Sequence, residues 1–290
     1  MSKYTDELQK TATIITNQML EHGSDWTKCW TTTGKGLPIN ATTKNAYRGF
    51  NVWRLLTAIA EHGFTSNEFV TYKQAKQSGG SVLKGSTGTK IMFFSRTVVD
   101  DKDKPEEKKA VGFWKVYTVF NLDQTEGLDH LVEVIEVPDK ASTIDNVQEF
   151  IDNCQAVIKF GGDRAFYSPG HDHIQMPNID RFEDSYGYYA TMLHELVHWT
   201  MKENRSDRPN SSSHSEYAFE ELVAETGSAL LCVMLGIESE PRPDHAKYLN
   251  SWIKAIKDNP KVIQQAFSKS QKAIDYLYSL QDQEEVKIAA

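Results

Sequence analysis

The sequence predicts an α+β protein: a small α+β region at the front, then a mainly helical region carrying a small antiparallel sheet. Three observations lead there. Apolar residues recur at helical spacing in long segments of both halves. Runs of β-branched and aromatic residues are confined to 81–99, 111–128 and short pieces of 163–178. The charge also changes sign along the chain. Residues 1–120 hold 17 Lys and Arg against 11 Asp and Glu, whereas the remaining residues hold 15 against 29. A basic front joined to an acidic back suggests two modules with different partners.

Taken in order, residues 3–22 form the first expected helix, with Leu8, Ile14, Ile15, Met19 and Leu20 on its apolar side. Residues 26–49 read as loop. A second helix spans 50–63 and stops at Gly63. A third spans 68–80, with Thr71 as its N-cap and the Gly79-Gly80 pair as its stop. Residues 81–99 read as a hairpin around a Gly-rich turn, with "GSTGT" near its tip. The mixed-charge run 100–110 reads as a solvated hairpin loop, and 111–128 as a strand and its exit. The acidic segment 129–142, with Pro138, is the expected linker between a domain at 1–128 and one at 143–290. The second domain then reads as an amphipathic helix from 143, strand candidates "RAFYS" and "HIQMP" around "PGHD", and helices at 185–201, 215–236, 243–259 and 261–281.

Composition excludes several classes. Hydrophobic residues make up 39% and charged residues 25% of the chain, as in ordinary globular proteins. Cys29, Cys154 and Cys232 never stand in C-x-x-C spacing, which argues against a disulfide framework and a cysteine zinc site. The longest apolar run, "ALLCVMLGI" (229–237), is far short of the roughly 20 residues of a membrane span. The opening "MSKYTDELQK" lacks the apolar stretch expected of a signal peptide. A cytoplasmic protein with no membrane partner is expected.

The chemistry concentrates in "YYATMLHELVHWT" (188–200). His194 and His198 are one helical turn apart, about 40° around the axis, and can present both imidazoles to one ion. Glu195 lies about 100° further round, placed to act as general base toward an attacking water without being a ligand. A catalytic zinc site takes three protein ligands and keeps one position open. Glu221 and Glu225 in "FEELVAE" share one face of the next helix, and an antiparallel packing would bring that face to the histidines. Glu221 is assigned as the third ligand and Glu225 as acceptor of a ligand histidine's N–H, the reverse assignment being the alternative. The ion is Zn2+ or another divalent metal such as Mn2+. His214, in a Ser-rich stretch, is expected to face solvent, and His171 with His173 to be loop histidines without a role. A strand before the motif helix could bind extended peptide by β-addition.

The stretches 161–200 and 220–237 resemble the metallopeptidase-like domain of ArdC-type antirestriction proteins of conjugative plasmids. "GLPINATTKNAYRGFNVWRL" (36–55), "TYKQAKQSGGSVLKGSTGTKI" (71–91) and "VFNLDQTEGL" (119–128) resemble that family's front-half blocks. The related front region also occurs in plasmid primases of the TraC type. The resemblance implies an N-terminal domain that binds single-stranded DNA and a C-terminal zincin-like domain. It implies a role in protecting incoming plasmid DNA from host restriction during conjugation. Its metal motif falls on His194, Glu195, His198 and the Glu221/Glu225 pair. The connection "NSSSHSEYAF" departs from the longer glycine-containing one frequent in the family, which leaves the role of His214 open.

Binding single strands without sequence preference needs cations along a groove and aromatic faces for stacking. Lys35, Lys44, Tyr47, Arg48, Lys73, Lys76, Lys84 and Lys90 are the candidate DNA contacts, with Lys84 and Lys90 favoured for flanking the expected hairpin tip. Arg54 and the aromatic residues Trp26, Trp30, Trp53, Tyr72, Phe93 and Phe94 are interleaved with them. Trp53 and one of the two phenylalanines are expected in the core. Two alternatives accompany this reading. One is a DNA-dependent metalloprotease acting on DNA-bound or crosslinked proteins, and the other a pure single-strand binder with a structural metal. If the centre is catalytic, a protein substrate is a further partner.

Overall fold

In the computed structural model, residues 3–31, 36–100, 108–132, 139–208, 213–238 and 246–281 are described. Local signals set many boundaries. Helix α1 (Lys3–His22) buries Leu8, Thr11, Ala12, Ile15, Thr16 and Met19, whereas Leu20, expected on the apolar side, is 60% exposed and Ile14 is half-buried. A short helix α2 (Lys28–Thr31) and strand β1 (Ile39–Asn40) occupy the stretch read as loop. Helix α3 (Phe50–His62) ends where Gly63 turns left-handed at φ +62° and donates its N–H to the Ile59 carbonyl. Strand β2 (Glu68–Thr71) leads into α4 (Tyr72–Gln77). Thr71 caps α4 in a reciprocal box with Gln74. The expected third helix therefore begins as a strand.

Two more departures follow. Strand β3 (Ser81–Val82) pairs not with its neighbour in sequence but with β6 (Thr125–Glu126). The long hairpin is instead β4 (Thr89–Asp100) with β5 (Lys108–Asn121), and its loop at 101–107 lies outside the described residues. So "GSTGT" joins two sheets and is no hairpin tip. Gly80 permits this: a Cβ there would meet the Glu126 carbonyl oxygen at 2.4 Å and the Leu128 side chain at 2.5 Å. The main sheet runs β1-β2-β5-β4, with β1 parallel to β2 and the rest antiparallel. Of the segment expected as linker, Asp129–Leu131 is a 3-10 turn, 133–138 lie outside the described residues, and the next helix already starts at Lys140.

That helix, α5 (Lys140–Asn153), is capped by Asp139. Strands β7 (Ile158–Phe160), β8 (Phe166–Ser168) and β9 (His173–Met176) form a sheet in the order β7-β9-β8. The sheet was expected to be antiparallel, but β7 runs parallel to β9. Helices α6 (Ser185–Trp199), α7 (His214–Leu235), α8 (Ala246–Asp258) and α9 (Lys261–Ser279) complete the chain. Helix α7 is buried almost all round from Ala218 to Val233, its carboxylates Glu220, Glu221 and Glu225 included.

One hydrophobic core runs through both halves, from Leu8 to Leu277. An aromatic series crosses it. Tyr248 stacks on Trp252, which meets Trp26 at 6.4 Å; Trp26 meets Trp30 at 5.0 Å and Trp30 meets Trp53 at 4.8 Å. Trp53 then stacks on Phe267 of α9 at 4.8 Å and 18°. Trp26 and Trp30 are thus core residues rather than DNA-stacking faces, and Trp53 is buried as expected. Because Trp53 and Phe267 come from opposite halves, both halves should unfold in one transition. In denaturant titrations, tryptophan fluorescence and far-UV circular dichroism should give coincident curves. Trp53→Ala should shift both together, by about 3–5 kcal/mol.

Candidate metal centre

The centre is built on two packed helices. Asp184 caps α6 by accepting the Gly187 N–H at 2.8 Å. Ser213 and Glu216 cap α7 reciprocally. The helices approach at Gly227, where a Cβ would stand 3.0 Å from both methyls of Val197. They run antiparallel, since His194 faces Glu221 and Glu225 while His198 faces Glu220 and Glu221. His194, Glu195, Glu220, Glu221 and Glu225 are all buried.

His194, His198 and Glu221 come together as the one metal-capable group found among the described residues. The two Nε2 atoms are 3.1 Å apart. Glu221 Oε2 lies 3.6 Å from His194 Nε2, and Oε1 lies 3.7 Å from His198 Nε2. Two atoms each about 2.0–2.1 Å from one ion at a tetrahedral angle stand about 3.3–3.4 Å apart. The spacing and the nitrogen and oxygen donors therefore fit a divalent metal.

The surrounding groups orient these three. Glu220 Oε1 accepts from His198 Nδ1 at 3.2 Å, which turns Nε2 toward the shared point. Arg208, buried to 4% exposure, clamps Glu220 with contacts of 2.8–3.2 Å and donates to the Val197 carbonyl at 2.6 Å. Glu225 stands 3.8 Å from His194 Nδ1, and its Oε1 accepts from Thr27 of the front half at 3.3 Å. Glu220, Arg208 and Thr27 went unread in the sequence. Glu220 stands beside Glu221 in "FEELVAE" and could have been weighed with it, whereas Thr27, 198 residues from Glu225, carries no local signal.

Burial alone would lower the His198 pKa, but hydrogen bonds to Glu220 and Glu221 and the charge of Glu195 raise it to about 10. Burial would raise Glu221, yet the two histidines hold it well below the usual carboxylate range. Glu220 is likewise held low by His198 and Arg208 against its burial. The Tyr217 phenol, one turn before Glu221, is pushed up by burial and by the Glu221 carboxylate. A site whose imidazole is stabilised as a cation is one that attracts positive charge.

The other candidates are dispersed. His214 is exposed at the start of α7. His171 is exposed and His173, which opens β9, is half-buried; their rings are 5.9 Å apart, and neither belongs to the metal-capable group. Of the candidate DNA contacts, Lys73, Lys76 and Lys84 are exposed. Lys44 is tied to Glu68 at 3.0 Å and Arg48 to Asp275 at 2.5 Å. Lys90 donates to Thr118 Oγ1 at 2.5 Å. Tyr47 does not present a stacking face. It is 7% exposed, packed edge-on against Phe69, because the turn after β1 folds it under the sheet. Lys35 lies outside the described residues. Phe93 and Phe94 are both exposed, at 45% and 52%, although one was expected in the core. Among the described residues no helix is long and apolar enough to cross a membrane.

Residues 5–120 match the family described as the N-terminal domain of anti-restriction factor ArdC, and residues 145–269 match the zincin-like metallopeptidase family. The chain is similar to the crystal structure of the antirestriction protein ArdC of plasmid R388. The metal-free form superposes with a TM-score of 0.80 at 35% identity, over 94% of this chain and 97% of that one. The Mn(II)-bound form gives 0.78 at 33%, over 97% and 98%. An uncharacterized protein y4eC of Sinorhizobium fredii (strain NBRC 101917 / NGR234) is 32% identical over 96% of this chain and 93% of its own. The DNA primase TraC of Escherichia coli is 31% identical over 95% of this chain but only 27% of that protein.

Two outcomes test the centre. Glu221→Gln should weaken Mn2+ or Zn2+ binding more than about 100-fold, and Glu225→Gln by about 10- to 100-fold, by calorimetric titration. With His198 raised to about 10, metal must displace a proton at neutral pH. Apparent affinity should then rise with pH, up to about tenfold per unit, and level off near pH 10. Proton release should show in buffers of different ionisation enthalpy.

Proposed function

The chain belongs to the ArdC-type antirestriction family, and from that premise we propose that it binds single-stranded DNA and protects incoming plasmid DNA from host restriction during conjugation. We further propose that its zincin-like domain holds Zn2+ or Mn2+ and hydrolyses a peptide bond of a protein met on that DNA. The observation that carries the reading is the buried cluster of His194, His198 and Glu221 with Glu195 beside it, locked to a basic, aromatic front half through one core. The exposed Lys73, Lys76, Lys84, Phe93 and Phe94 support the DNA part, since single-strand binding draws on cations and stacking faces.

His194, His198 and Glu221 would hold the ion. A divalent cation at that point supplies Lewis acidity toward a carbonyl and lowers the pKa of water. Glu195 is the general base that takes the proton of the attacking water and passes it to the leaving amine. Glu220 holds the His198 Nδ1 proton and Arg208 holds Glu220, so the imidazole keeps one orientation. The low exposure of Glu195, 2%, limits competing water around the base.

Glu195→Gln preserves size and leaves all three proposed ligands in place. The variant should retain metal by elemental analysis and lose peptide hydrolysis by about 100-fold or more. It should also fail to protect transferred plasmid DNA in a conjugation assay against a restricting host. Full protection by a metal-loaded Glu195→Gln protein would overturn the hydrolytic part and leave DNA coating as the function.

A further inference from the structure

Strand β5 pairs with β4 along its length, from Lys108 to Val119. On its other side it pairs with β2 only at Val119–Asn121. Among the described residues, the edge of β5 before Val119 therefore has no strand neighbour. The N-terminus of α1 lies over this edge, and between them is a cavity of about 530 Å3 lined by Lys3, Tyr4, Trp114, Lys115, Val116 and Tyr117. Four consecutive β5 residues line it and none of β4 does, which places it on the open edge. Its volume falls in the range of ligand pockets, about 300–1,000 Å3.

The lining is three aromatic rings, two ammonium groups and one valine, with no carboxylate. Neither lysine has a carboxylate partner among the described residues; Lys115 instead lies over the Phe113 ring at 5.3 Å. Trp114 is held in place before any ligand arrives. Tyr4 stacks on it at 4.9 Å and 13°, and Phe94 meets it edge-on at 5.3 Å. Tyr4 is itself fixed by donating to Gln264 Oε1 at 2.6 Å. Yet Trp114 stays 39% exposed and Tyr117 43%. Rigid, half-exposed indole and phenol rings beside unpaired ammonium groups make a poor surface for water and a good one for a flat aromatic anion. Arg96, over the Phe94 ring at 5.8 Å, extends the positive charge along the same hairpin.

We propose that this cavity is a base-stacking pocket for single-stranded DNA. Trp114 and Tyr117 project to opposite faces of β5, beside Phe94 and Phe93 respectively, so successive unstacked bases lie against the two rings as the strand wraps the open edge, and Lys3 and Lys115 take the flanking phosphates. The pocket requires a strand whose bases are free, because a duplex keeps each base between its neighbours. It deepens the reading of the chain as a single-strand binder and rests on it.

The test uses the full-length protein, a fluorescein-labelled oligothymidylate at low salt, and fluorescence anisotropy. Trp114→Ala and Tyr117→Ala should each weaken binding about 5- to 100-fold, while Trp114→Phe, which keeps a stacking ring, should retain most of it. Lys3→Gln with Lys115→Gln should lower the salt dependence, each by about 0.7 in the slope of log affinity against log salt. Thermal midpoints of all variants are compared with wild type; if Trp114→Ala is unstable, Tyr117→Leu and the lysine pair carry the test. Wild-type binding that every folded variant retains unchanged would overturn the pocket and leave single-strand binding standing. That result would instead suit an extended peptide on the β5 edge. A wild-type protein that binds no oligothymidylate would overturn both. Equal losses on duplex and single strand would also overturn the pocket.

Discussion

Four carboxyl groups and the His194 imidazole are buried between α6 and α7, with the His198 imidazole half-buried beside them, and the arrangement of this protein follows from having to compensate them. An ionised group removed from water is tolerated only when paired and hydrogen-bonded. Glu220 has Arg208 and His198, Glu221 has both histidines, and Glu225 has Thr27 and stands near His194. The partners come from three places: the histidines from α6, Arg208 from the segment after it, and Thr27 from the turn before α2. The segment after α6 must fold back to deliver Arg208, and α2 must lie against α7 to deliver Thr27. The helices must also meet at Gly227, since a larger residue there would part the two faces. A divalent cation is the remaining compensation that the donor set fits.

The same constraint explains why the front half is not an appendage. Thr27 sits beside Trp26, the tryptophan that meets both Trp30 and Trp252. Whatever orders α2 therefore touches both the aromatic series and a carboxylate of the metal-capable site. The β4–β5 hairpin leaves this core with its aromatic residues exposed, at a distance in sequence from the acidic helices.

Much of the helical framework was legible because its signals are local. Gly63 and the Thr71 cap mark their helix ends in three or four residues, and α1, α8 and α9 declare themselves by periodicity. The strands were harder. "GSTGT" has the composition of a hairpin turn, but β3 pairs with β6 some forty residues away, which depends on the absence of a Cβ at Gly80. The aromatic residues divided against expectation for a related reason. Composition cannot tell a core tryptophan from a stacking one, so Trp26, Trp30 and Tyr47 are buried while Phe93 and Phe94 are exposed.

At the candidate site the split is similar. His194, Glu195 and His198 are one turn of one helix, and their relation follows from helical geometry alone. Glu221 and Glu225 share a face for the same reason, so the sequence by itself determined the two faces that had to meet. Only the tertiary structure decided that Glu221 faces both imidazoles, that Glu220 holds His198 Nδ1, and that Arg208 and Thr27 complete the shell. Those contacts join residues 12 to 198 positions apart, and no local propensity encodes a distance that packing must set.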